Sequence, residues 1–119
     1  MKKLVVIMLL VASTATVAHA GLKVVGKGDA VRLDPASYPP AMKASYQIMQ
    51  GKCVKCHSLE RVVVALQTGV APISGQPFDR SATKAYGAKM LRKSDFQMSK
   101  VEVKATVDLL NYLLAEAER

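Results

Sequence analysis

The chain has 119 residues, half of them hydrophobic, with 17 basic against 9 acidic side chains and a formal net charge of +8. A chain of that length builds one small domain. Its aromatic content of 5%, without tryptophan, leaves no interleaving of aromatic and basic residues such as holds single-stranded nucleic acid, so its basic surface points elsewhere. In chain order the first feature is Lys2-Lys3 ahead of an apolar run from Leu4 to Val17, closed by Ala18-His19-Ala20. Positive start, short apolar core and small-x-small end make a secretory leader cleaved after Ala20. The run is shorter than the roughly 20 residues that span a bilayer and contains Ser13, Thr14 and Thr16, so the mature chain is expected to be periplasmic and not membrane-spanning.

Residues 21–37, with Gly26-Lys27-Gly28 and no apolar period, read as an extended N-terminal arm. Tyr38-Pro39-Pro40 ends it, and proline is tolerated in a first helical turn. A helix is expected over Ala41 to Gln50, with Met42, Tyr46 and Met49 on one stripe, running to about Gly51 or into the segment that follows.

That segment is Cys53-Val54-Lys55-Cys56-His57, a C-x-x-C-H pentapeptide holding both cysteines of the chain. On a helix, residues three and four apart share a face, so two thiols and one imidazole point the same way. This is the attachment pattern of c-type haem, in which the thiols bond the two vinyl groups and the histidine binds iron. Two other chemistries use similar residues. A structural zinc site needs a second ligand pair, which the chain lacks. A redox dithiol needs a preceding strand and a βαβ setting, whereas the flanks here read as helix and loop. Export also places the cysteines where covalent haem attachment occurs.

From Ser58 to Ala65 the helix is expected to continue, and Thr68 to Pro77, with Gly69, Pro72, Gly75 and Pro77, reads as a loop. Asp79 can cap a helix from Arg80 to about Lys93 whose Ala82, Tyr86 and Met90 form a stripe, with Gly87 weakening its middle. Ser99 and Glu102 make a capping box for a last helix with the stripe Val103, Val107, Leu110, Leu114 and Ala117. The fold class is therefore all-α.

Together the Cys53–His57 motif, the Gly69–Gly75 loop, Lys89-Met90 and Asn111-Tyr112-Leu113 resemble the small monohaem c-type cytochromes, over Tyr38 to Arg119. The resemblance implies a helical domain, residues 38–119, wrapped around one haem c held through Cys53 and Cys56. It also implies that Pro72 stands where a loop proline carbonyl accepts a hydrogen bond from the proximal histidine, orienting the ring. Ala71 departs from the glycine common at its position.

Cleavage removes His19, so a mature chain of 99 residues, 119 less the 20 of the leader, retains only His57. Bis-histidine ligation within one chain is excluded, and with acids scattered along the chain no Ser-His-Asp set for hydrolysis is evident. Met42, Met49, Met90 and Met98 remain as candidate sixth ligands. Met90 matches a methionine that closes a helix shortly before the last one in a subgroup of these cytochromes. Met98 competes, although a hydrophobic staple to Val103 accounts for it without iron. Met42 and Met49 lie on the helix entering the motif and read as packing residues.

With His57 and methionine on iron no coordination position stays open, and one-electron transfer, not substrate chemistry, is the expected role. An exported electron carrier, or the haem-bearing subunit of a larger periplasmic oxidoreductase, follows. A five-coordinate gas-binding or sensing cytochrome is the alternative if methionine is absent from the iron. The leader takes Lys2 and Lys3 with it, leaving 15 basic residues against 9 acidic and a balance of +6. Lys52, Lys55, Lys84, Lys89, Arg92 and Lys93 are expected to ring the haem edge and steer acidic redox partners.

Overall fold

The computed structural model describes residues 21–55, 57–93 and 97–119; the expected leader and Cys56 lie outside the described residues. Among these the chain is mostly helical, with strands β1 (Val24–Val25) and β2 (Arg32–Leu33) followed by helices α1 (Pro40–Lys52), α2 (Glu60–Thr68), α3 (Arg80–Leu91) and α4 (Lys100–Ala117). No helix among the described residues is long and apolar enough to cross a membrane.

α4 is the spine of the domain. Its start is the capping box read from the sequence: Ser99 Oγ accepts from Glu102 N at 3.1 Å and Glu102 accepts from Ser99 N at 2.8 Å. The buried face is Val103, Thr106, Leu109, Leu110 and Leu113, which differs from the expected stripe, since Val107, Leu114 and Ala117 are only half-buried. α4 packs against α1, α2 and α3 together, so its apolar arc is wider and turned relative to a one-sided stripe.

α3 meets α4 through Thr83 and Gly87, both buried, and not through the Ala82, Tyr86 and Met90 stripe. A Cβ on Gly87 would come 2.9 Å from Val107 Cγ2 and 3.2 Å from Val103 Cγ1, so the glycine permits close approach of the two helices and is no mere weakness. Beside it Thr83 Oγ1 donates to Asn111 Oδ1 at 2.8 Å. α3 begins as expected, with Asp79 accepting from Ala82 N, but ends at Leu91 and not at Lys93.

α1 ends at Lys52, the nearer of the two expected ends, and a 3-10 turn over Cys53–Lys55 tightens it. Both ends of α2 differ from expectation, for it starts afresh at Glu60. α2 then reaches Thr68, because Gly69 takes the left-handed conformation at φ 71° and donates to Ala65 O, a glycine C-cap.

Residues 21–37 also differ, for they hold a small antiparallel hairpin, Val24 facing Leu33 and Val25 facing Arg32. Gly26 makes the turn at φ 81°, where a side chain would collide with the Ala30 carbonyl. Leu33 is fully buried in the main core, and its backbone is held there by one side chain. The Tyr46 hydroxyl accepts from Leu33 N and donates to Leu33 O, each at 2.9 Å. Tyr38 stacks edge-on against Tyr46 and Tyr112 at centroid distances of 6.1 and 5.5 Å, while its own buried hydroxyl has no partner among the described residues.

The two tyrosines should therefore respond oppositely to loss of the hydroxyl. Tyr46→Phe strands a buried N–H and C=O and is expected to cost about 1–3 kcal/mol; Tyr38→Phe is expected to leave stability unchanged or raise it by up to about 1 kcal/mol. Urea unfolding midpoints at constant m check both.

Candidate functional site

The ends of α1 and α3, α2, the loop over residues 69–78 and the middle of α4 line a half-open cavity of about 440 Å³. That lies within the range of about 300–1,000 Å³ usual for small-molecule and cofactor sites. Met49, Val62, Ala65, Phe78 and Leu110 give it apolar walls. Cys53, His57, Pro72 and Met90, from four separate parts of the chain's secondary structure, all line this one space.

Cys53 stands at the junction of α1 and the 3-10 turn, its N–H donating to Met49 O. Burial raises its thiol pKa above the ordinary value. His57 follows in the non-helical link before α2, half-buried, with Nδ1 2.9 Å from Ser58 O. The expected hydrogen bond from His57 to the Pro72 carbonyl is thus replaced among the described residues by a local one. A backbone carbonyl on one ring nitrogen still directs the other nitrogen to be the basic one.

Pro72 reaches the cavity because its loop is tightly closed. Phe78 N donates to Gly69 O at 2.8 Å, Ala71 N to Gln76 O at 2.9 Å and Gly75 N to Ala71 O at 2.9 Å, with Gly75 at φ 68°. Residues 72–74 are thereby pushed out as the tip. Ser74 Oγ lies 3.3 Å from the Tyr86 hydroxyl, joining the tip to α3, and Phe78 packs on the Tyr86 ring at 5.9 Å.

The two competing methionines are separated by packing. Met90, half-buried near the end of α3, lines the cavity beside Tyr86. Met98 does not line it; it is buried, 9% exposed, immediately before the Ser99 cap. Met49 lines the cavity from α1 as part of its apolar wall, while Met42 packs at the edge of the core.

The expected ring of basic residues is divided: Lys84 and Arg92 are exposed and do not line the cavity, and the other four serve in two different ways. Lys52 Nζ pairs with Glu102 Oε1 at 2.7 Å and donates to Gln97 O at 3.1 Å, and Lys55 Nζ donates to Gln97 Oε1 at 3.3 Å. These clips tie the cysteine motif to the start of α4 and hold the Glu102 carboxyl below its ordinary pKa. Lys89 and Lys93 instead line the cavity, joined by Arg61 from the first turn of α2.

Sequence reasoning did not find Arg61, Ser74 or Thr106 among the lining residues. Thr106 was legible as the residue one turn before Leu110; Arg61 and Ser74 carry no local signal, because only the closing of the loop and the start of α2 bring them to the cavity. Comparison with protein-family models, curated proteins and solved structures found no match.

Proposed function

We propose that the chain is an exported monohaem c-type cytochrome that carries single electrons between redox partners. The observation that supports this most is the convergence of Cys53, His57, Pro72 and Met90 on one apolar-walled cavity of about 440 Å³. The donor set suits the group: the thiols of Cys53 and Cys56 would form thioethers, His57 would be the proximal ligand and Met90 the distal one. When bound, haem c supplies a one-electron ferric/ferrous couple.

The chain's own residues then have defined tasks. Cys53 and Cys56 keep the cofactor from dissociating, and the Ser58 carbonyl orients the His57 ring. Met49, Val62, Ala65, Phe78 and Leu110 exclude water from the macrocycle. With His57 and Met90 as its ligands the iron would offer no place for a substrate. The basic balance of the chain favours acidic partners, and Lys55, exposed beside Cys53, stands where such a partner would approach.

Three outcomes are expected. Acid acetone leaves the pigment on the exported protein, and extraction of free haem into the solvent would sink the reading. Met90→Ala abolishes the weak ferric charge-transfer absorption of a sulfur ligand, whereas Met98→Ala retains it and only loosens the start of α4; the reverse pattern would transfer the ligand role to Met98. Electron exchange with an acidic redox protein slows between low and physiological salt, and Lys55→Glu slows it further with an unchanged spectrum, as stopped-flow kinetics would register.

A further inference from the structure

The cavity is apolar along most of its wall but carries three cations, Arg61 on α2 and Lys89 and Lys93 at the end of α3. No Asp or Glu among the described residues lines it. The ion pairs found among the described residues, Lys52–Glu102, Lys104–Asp108 and Arg119–Glu116, involve none of the three. Three cations, one on α2, one on α3 and one just beyond its end, at one otherwise apolar space call for an anion that enters with an apolar body attached. A guanidinium and two ammonium groups suit carboxylates: the first offers a bidentate fork, the others point charges.

We propose that Arg61, Lys89 and Lys93 form a carboxylate clamp that receives the two propionate groups of the haem, an inference that rests on the haem reading above. The clamp would neutralise the carboxylates of a macrocycle whose direction the two thioether bonds already fix. Lys89 and Lys93 are then cofactor-binding residues and not part of the partner-steering surface. Exposed Lys55 remains for that second role, so the two populations of cations are separable by experiment. The other ionisable groups facing the cavity are Cys53, His57 and Tyr86, and none of them supplies a competing negative charge in the proposed state.

The test uses the exported, haem-loaded protein and compares Arg61→Gln, Lys89→Gln and Lys93→Gln, singly and combined, with the conservative set Arg61→Lys, Lys89→Arg and Lys93→Arg. Neutralising the clamp removes positive charge that opposes the ferric state, so the reduction potential is expected to fall stepwise from single to triple variant. The propionate bending bands of the resonance Raman spectrum should shift in step, while the conservative set keeps both near wild type. All three substituted positions carry exposed side chains, and circular dichroism verifies that the fold is retained. Haem-loaded variants with unchanged potential and unchanged propionate bands, but a reduced salt dependence of electron exchange, would overturn the clamp and return these lysines to steering. Absence of covalent haem from the wild-type protein would instead overturn the cytochrome reading, and the clamp with it.

Discussion

The close approach of α3 to α4 at Gly87 orients much of the candidate site. A side chain there would press on Val103 and Val107, so only glycine lets the two helices come this near. Thr83, one turn earlier, completes the same face with its bond to Asn111. Positions 83 and 87 share one side of α3, and positions 82, 86 and 90 lie one residue step, about 100°, around the axis. Seating the first pair on α4 turns the second stripe toward the loop over 69–78. Tyr86 and Met90 face the cavity as a consequence of how Thr83 and Gly87 are packed.

The opposite part of the cavity is governed by interruptions of helix. A 3-10 turn at Cys53–Lys55 and a non-helical link at His57 separate α1 from α2. The glycine cap at Gly69 then turns the chain into a closed loop whose tip carries Pro72 and Ser74. Lys52 and Lys55 tie this cysteine segment to Gln97 and Glu102 at the head of α4, so α4 anchors both the segment with the thiols and the helix with Met90. A single helix held from three sides thus sets the distance across the site.

Charge is distributed with the same economy. Basic residues that look alike in the sequence divide among an ion-paired clip at Lys52, an exposed surface near Lys55 and the cavity-lining set Arg61, Lys89 and Lys93. The proposed electron carrier would use the second set toward its partners and the third toward its cofactor. Net charge alone could not separate these uses, because it has no positional content.

Local chemistry was legible from sequence alone: the C-x-x-C-H spacing, the count of histidines and methionines, the Ser99–Glu102 capping box and the Asp79 cap each depend on residues within one or two turns of each other. Helical content followed from apolar periodicity for the same reason. The hairpin of residues 21–37 was not legible, since strands of two residues are too short to show alternation, and its anchor, Tyr46, is thirteen positions away from Leu33. Nor could periodicity choose between Met90 and Met98, as the first continues the stripe of α3 and the second lies just before the cap of α4. Which of the two lines the cavity, like the turning of the α4 face and the gathering of Arg61 with Lys89 and Lys93, was decided by tertiary packing, because which side of a helix meets a cavity depends on the neighbours that occupy its other sides.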